Sequence, residues 1–310
     1  MRWNRRQALC GAAALAACSR EPAVAQSEEV RVSDTPLVTR AIPSSGEALP
    51  IVGLGTWQAF DIAPGGSDWD EAREALRVFA QGGGKVVDSS PMYGRAEAAV
   101  GRLSAELDLR PRLFLATKVW TRGRDAGAAQ MAESRRLLRA DAIDLMQVHN
   151  LLDLDAHMPT LRAWKAAGRI RYLGVTHYHA GAYDALEAAM RRYDPDFIQI
   201  NASVAERESE DRILPLARER GIAVLVNRPF AGGEAFARVR RLPLPAWADE
   251  IGAASWAQVL LKYVLANPAV TCAIPGTRNP RHVLDNLGAA TGPLPDPAQR
   301  KRIVEAVAGA

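Results

Sequence analysis

Cysteine is scarce in this chain: three in 310 residues, at Cys10, Cys18 and Cys272. Two of them fall in a leader-like N-terminal segment, which excludes a disulfide framework or a cysteine-based metal site in the remainder. Charge of either sign is also close to balanced. The formal net charge is +4, and subtracting the three arginines of the leader (Arg2, Arg5 and Arg6) leaves +1, too little of a basic field to bind nucleic acid. No Gly-x-Gly-x-x-Gly turn follows any candidate strand, which weighs against a doubly wound dinucleotide-binding sheet. The apolar run from Ala8 to Ala17 is only about ten residues, too short to span a bilayer as a stable helix. What is abundant is evenly spread apolar sequence, 48% of the chain, which favours one large core.

The N-terminus combines a cationic start (Met1-Arg2-Trp3-Asn4-Arg5-Arg6-Gln7) with that mild apolar stretch, the pattern of an export signal. The adjacent arginines resemble a twin-arginine signal, with Asn4 where Ser or Thr is commoner and Ala8 where Phe is commoner. Leu15-Ala16-Ala17-Cys18 resembles a bacterial lipobox, which would make Cys18 the lipidated first residue of the mature protein. Cleavage after Ala23-Val24-Ala25 is the competing reading. The sequence therefore predicts an export signal over 1–18 (alternative end at 25), a flexible polar tether over 19–39 and a folded domain over 40–310. It also predicts a periplasmic lipoprotein, touching the membrane only through Cys18 and carried by the twin-arginine machinery. A cytoplasmic location follows if the export reading fails.

Beyond the tether, short apolar strands alternate with helical periodicity. The strands read as 51–57, Val86-Val87 ending in Asp88, 113–120, 143–149, 170–176, 197–201, 222–227 and 270–275. Helices read over about 69–81, 95–107, 126–139, 161–167, 209–220, 255–265 and 299–307, with 241–247 as a proline-bearing loop. Eight strands separated by helices predict a single-domain (β/α)8 barrel, in which chemistry gathers at the carboxyl ends of the strands. Asp88, Lys118, His149 and Gln199 all fall at or near such ends.

Singly these residues say little. Asp88 reads equally well as a loop-capping acid, Tyr93 as a loop aromatic, Lys118 as a solvated amine and His149 as a core histidine. Jointly they make a coherent set. A phenol with a reference pKa near 10 is a poor acid at neutral pH; an adjacent ammonium is expected to lower that value, and a carboxylate to hold the ammonium in place. An imidazole can orient a carbonyl. Such a group would protonate an oxygen while hydride arrives at carbon, which is carbonyl reduction.

Asp88-x-x-x-x-Tyr93-Gly94, Lys118 and His149 resemble the catalytic tetrad of the aldo-keto reductases. So do Gly53-Leu54-Gly55-Thr56-Trp57, Thr117-Lys118-Val119-Trp120, Gly174-Val175-Thr176, Phe197-Ile198-Gln199-Ile200-Asn201 and Ile274-Pro275-Gly276-Thr277 with Asp285-Asn286. The resemblance covers residue 40 to the end. It implies reduction of a small aldehyde or ketone by NADPH, with NADH as the alternative cofactor and no metal. Matched positions give Tyr93 as proton donor, Lys118 and Asp88 as its tuners and His149 as carbonyl orienter. They give Thr56, Asp88, Thr176, His177, Gln199, Asn227, Thr277, Arg278 and Asn286 as cofactor contacts, and Trp57 and Trp120 as substrate-pocket walls.

The chain departs from the family's pattern in places. Thr176-His177 replaces a common Ser-Asn, and Asn227 replaces an aromatic that stacks on nicotinamide, for which Phe230 is a candidate substitute. Gly276 and His282 replace a Lys and an Arg that clamp the 2′-phosphate, leaving Arg278 and Arg281 as the cations. Asn150 replaces a Trp after the histidine, which predicts a more open pocket. A catalytically silent, cofactor-sensing barrel is the rival reading. An exported reductase also meets a difficulty, since reduced cofactor has no obvious pool outside the cytoplasm.

Overall fold

The computed structural model describes residues 35–309. The leader, Cys18 and most of the expected tether lie outside the described residues. The described chain opens with an antiparallel hairpin, β1 (Thr39–Ala41) and β2 (Ala48–Pro50), turned through Pro43–Ser45. The sequence reading did not anticipate these two strands.

Eight parallel strands follow: β3 (Leu54–Gly55), β4 (Val86–Asp88), β5 (Phe114–Val119), β6 (Ile143–Val148), β7 (Ile170–Thr176), β8 (Phe197–Asn201), β9 (Ala223–Asn227) and β10 (Cys272–Ala273). Each pairs with its neighbour in chain order. The seam between first and last closes through parallel bridges Val52 to Ala273 and Gly55 to Gly276, with Gly55 N donating to Pro275 O at 3.0 Å. A side chain at Gly55 would place its Cβ 2.7 Å from Ile274 O, so glycine is what lets this seam shut. The expected (β/α)8 barrel is therefore present. Its first and last strands are shorter than the runs 51–57 and 270–275 suggest, because the seam is tied by isolated bridges and not by a full ladder.

Helices α1 (Ser67–Gln81), α2 (Ala96–Glu106), α3 (Arg124–Leu137), α4 (Leu154–Ala166), α5 (Tyr183–Tyr193), α6 (Ile213–Glu219), α7 (Glu234–Val239), α8 (Trp256–Leu265), α9 (Pro280–Gly288) and α10 (Pro297–Ala308) accompany the strands. Their starts follow local chemistry. Ser255 Oγ accepts from Gln258 N at the head of α8, and Asp296 and Gln299 form a capping box ahead of α10. Four readings needed revision. Helix α4 begins well before 161 and tolerates Pro159 within it, and 209–220 splits into a 3-10 turn and the short α6. Helices α5, α7 and α9 were not read from sequence, and the loop over 241–247 leads into a 3-10 segment at Ala246–Ile251.

The period-two pleat sorts the barrel interior into layers. Val86, Phe114, Leu145, Tyr172, Phe197, Ala223 and Cys272 pack together low in the barrel, plugged by Ile42 and Leu49 of the hairpin. Arg40 anchors that hairpin by donating to Asn267 O at 2.9 Å and Leu265 O at 2.6 Å. Further along the same inward faces the residues turn polar: Asp88, Lys118, Gln147, Thr176, Gln199 and Asn227. The larger apolar cluster fills the space between sheet and helices.

Candidate active site

The polar layer is tied together by hydrogen bonds around one carboxylate. Asp88 Oδ2 accepts from Lys118 Nζ at 2.6 Å; Asp88 Oδ1 accepts from Gln199 Nε2 at 2.8 Å and from Gln147 Nε2 at 3.3 Å. Lys118 also donates to Ser89 O at 2.7 Å and is fully enclosed. A buried ion pair of this kind costs desolvation on both sides and persists only when its remaining lone pairs and protons are satisfied, as they are here. Burial, the largest single influence on Lys118, opposes its charge; Asp88 and then Tyr93 outweigh it and hold the ammonium pKa above its ordinary value. The amine stays protonated.

Lys118 Nζ lies 5.1 Å from the Tyr93 ring centroid. The expected lowering of the phenol pKa is not the net result: the pKa is raised, because burial dominates and Asp88 adds to it, while Lys118 pulls it down only in part. Tyr93 therefore keeps its proton across the neutral range. It becomes a competent donor when negative charge develops on an oxygen placed against it, since that charge draws the proton while the ammonium steadies the phenolate.

His149 stands at right angles to Tyr93, with ring centroids 6.0 Å apart. Its Nδ1 is 3.0 Å from Ser90 Oγ. That hydroxyl oxygen also accepts from Met92 N at 3.3 Å, and it can give its own hydrogen to Nδ1 in the tautomer that carries the imidazole proton on Nε2. Burial first, then the Lys118 and His177 charges, press the imidazole pKa down to about 2, so the ring is neutral and acts as a donor. Two consequences follow for pH. Activity should show no inflection near 6–7, staying level across the neutral range and falling only on the alkaline side as Tyr93 ionises; a kcat/KM profile checks this. Stability carries the other sign: between pH 6.5 and about 2 the unfolded chain binds a proton that folded His149 refuses, so stability falls as pH falls through that window.

A cavity of about 700 Å³ opens over these groups. Thr56, Trp57, Asp88, Tyr93, His149, Thr176, Gln199 and Asn227 line it, as expected from sequence, and Lys118 sits beneath its floor. Trp120, expected as a second pocket wall, is not among the lining residues; its ring stands 6.4 Å from that of His149. Four expected cofactor contacts lie outside the lining. His177 stacks on Tyr178 and gives its carbonyl to Asn227 Nδ2 at 3.0 Å; Thr277 Oγ1 accepts from Asn279 N; Asn286 is buried on α9; and Arg278 is paired with Asp68 at 2.9 Å and Glu71 at 2.8 Å on α1. Sequence reasoning missed Ser90, Gln147, Arg228 and Phe236. Gln147 had a readable signal, two residues before His149 on an inward face; Ser90 had none, because its role arises from a contact across 59 positions.

The donor set fits a nicotinamide carboxamide. Thr176 Oγ1 donates to Gln199 Oε1 at 3.3 Å and Asn227 Nδ2 approaches the same oxygen at 3.4 Å, while Asn227 Oδ1 is enclosed without a partner and is suited to an amide N–H. The cavity continues past Phe230, Gly232 and Gly233 on one side and reaches Gly276 on the other, room for an extended ligand.

A barrel whose polar top layer holds an acid–amine pair beneath a phenol, beside a neutral imidazole, points to one family of barrel proteins. Comparison with known proteins gives the same answer: the profile of the aldo/keto reductase family matches residues 51–307, and the chain belongs to that family. It is 30% identical over 208 residues to aldo-keto reductase YhdN of Bacillus subtilis, a match covering 62% of this chain and 62% of that one, less than two thirds of the relative's length. It is 30% identical over 258 residues to methylglyoxal reductase YeaE of Escherichia coli, covering 80% and 88%. An aldo/keto reductase from Klebsiella pneumoniae, solved in complex with NADP and acetate, superposes with a TM-score of 0.71 at 26% identity, covering 83% of this chain and 91% of the other.

Proposed function

We propose that the protein reduces an aldehyde or ketone to an alcohol using NADPH. The observation that carries this reading is the buried Asp88–Lys118 pair held against Tyr93, because a barrel that merely bound a cofactor would have no use for so costly an arrangement. The NADP-bound relative supports the choice of cofactor.

Bound NADPH supplies the hydride. His149 Nε2–H orients the substrate oxygen, Tyr93 gives it a proton, and Lys118 with Asp88 stabilises the phenolate until solvent restores it. Thr176, Gln199 and Asn227 hold the carboxamide, with Thr56 supporting Asp88 by donating from Oγ1 to its carbonyl at 2.9 Å. Phe230, tilted against Phe236 with centroids 4.5 Å apart, offers a flat apolar surface on that side of the cavity. Trp57 and Trp120 would flank the substrate, and Arg278, with Thr277 and Asn286 nearby in sequence, would meet the adenosine end beyond the cavity. Asp68 and Glu71 hold Arg278 in place, so a 2′-phosphate must compete with two carboxylates and the preference over NADH is modest.

The test follows NADPH and then NADH oxidation with an activated aromatic aldehyde, with NADP+ and NAD+ affinities measured by calorimetry. Turnover with tighter NADP+ binding is expected, and Arg278→Ala should bring the two affinities together; cofactor binding without turnover of any aldehyde would favour the silent barrel. The leader supports a second element of this reading, an exported lipoprotein anchored at Cys18. Replacing Cys18→Ser should move the protein from the membrane to the soluble fraction, and an unchanged distribution would reject the anchor.

A further inference from the structure

A second cavity, of about 380 Å³, opens at the opposite end of the barrel from the active site. The amino ends of four neighbouring strands build its wall. Lys85 precedes β4, Arg112 lies in the 3-10 turn that leads into β5, and Asp144 and Arg171 are the second residues of β6 and β7. Arg110 of the same turn and Glu47 of the hairpin complete the charged lining.

Four cations thus share this cavity with two carboxylates, and both carboxylates are engaged. Asp144 accepts from Arg171 at 2.8 Å and from Leu115 N at 2.7 Å, with Arg110 at 3.5 Å. Glu47 accepts from Arg171 and, at 2.7 Å, from the Tyr172 hydroxyl. Arg110 directs its other donors to Leu113 O at 3.1 Å and Ala142 O at 2.8 Å. Two cations are left over. Arg112 donates from Nη2 to Ala80 O at 2.9 Å, which orients its guanidinium and leaves Nε and Nη1 without a partner among the described residues. The Lys85 ammonium has no partner among them either. Val86 pairs with Phe114, whose N donates to Lys85 O at 2.9 Å, so Lys85 and Arg112 stand close together at the start of adjacent strands. Both are exposed.

An oriented guanidinium beside a free ammonium, with the local acids already neutralised, suits an oxyanion of more than one charge. The planar fork takes two oxygens and the ammonium a third, which a phosphate has and a carboxylate lacks. The described chain also enters the fold here: a Cβ at Gly83, on the cavity wall, would lie 3.6 Å from Leu37.

We infer that this lower cavity binds a phosphate group, held by the Arg112 fork and the Lys85 ammonium. A phospholipid headgroup and a small soluble phosphate present the same oxygens, and under the lipoprotein reading the point of chain entry favours the headgroup. The site is independent of the chemistry at the other end of the barrel.

The test uses the full-length protein carrying Cys18→Ser, so that no lipid anchor contributes. Inorganic phosphate is titrated by calorimetry with NADP+ present in excess to fill the upper cavity. Flotation with phosphatidylcholine vesicles, with and without phosphatidylglycerol, follows at about 0.1 M salt, where the Debye length is about 10 Å. Lys85→Gln and Arg112→Gln should each weaken the binding about tenfold at an unchanged unfolding temperature, and Arg112→Lys, which keeps the charge but not the fork, should restore only part of it. Phosphate binding lost in the variants, without vesicle retention, supports the site with a soluble phosphate. Retention on the anionic vesicles that the variants lose supports it with the headgroup. Neither kind of binding by the parent protein, or equal binding by the variants, would overturn the site.

Discussion

Replacing Tyr93→Phe is expected to lower kcat for aldehyde reduction by about three orders of magnitude, within the range of about 10²–10⁴ for removing a positioned general acid. The cavity keeps its ring, its edge-on contact with His149 and its charge pattern, so NADP+ affinity should change by less than about twofold. Single-turnover measurement separates the two readings: loss of the chemical step with binding retained assigns the proton to Tyr93. A fall of less than about tenfold would show that the proton comes from elsewhere, with His149, which also lines the cavity, the next group to replace. The raised phenol pKa sharpens the expectation, since wild-type activity should hold through neutral pH and decline only on the alkaline side, a limb that Tyr93→Phe removes.

Replacing Lys118→Met is expected to cost both activity and fold. The variant leaves the Asp88 carboxylate enclosed without its ammonium, and breaking a buried pair from one side costs about 3–5 kcal/mol. For a domain of this size that corresponds to a fall of roughly 10 °C in Tm. Gln147 and Gln199 still donate to Asp88 Oδ1, which limits the loss but does not replace the charge. The double variant Asp88→Asn/Lys118→Met, which removes both charges, should recover most of the stability and none of the activity, because Tyr93 then lacks the cation that stabilises its phenolate. Calorimetric unfolding of the two variants beside the wild type decides this. Should Lys118→Met prove as stable as the wild type, the pair is not the electrostatic unit that the geometry describes.

The same pair explains why the chain could be read so far from its residues alone. Apolar runs at intervals along the chain, each buried on both faces, dictate parallel strands separated by helices, and a turn-bound strand end dictates where polar side chains collect. Asp88, Tyr93, Lys118, His149 and Gln199 were legible because strand ends and spacing are local properties. The hairpin that plugs the barrel was not, since its three-residue strands carry too little pattern and are held by contacts such as Arg40 to the loop after α8. The six-residue α7 is too short to show a period, whereas α5, with Tyr183, Leu186, Ala189 and Met190 buried on one face, and α9, with Val283 and Leu287, carry amphipathic patterns that the sequence does hold.

By itself the sequence determined the barrel and which polar residues, Asp88, Tyr93, Lys118 and His149 among them, meet on its rim, because hydrophobic period and strand termini are written residue by residue. Only the tertiary structure decided the electrical state of that set. Enclosure raises the Tyr93 pKa despite its cationic neighbour, Ser90 engages His149 Nδ1 from 59 positions away, and Asp68 and Glu71 engage Arg278 from a helix more than two hundred residues away. Desolvation and long-range pairing depend on what surrounds a group in space, and no spacing along the chain encodes that.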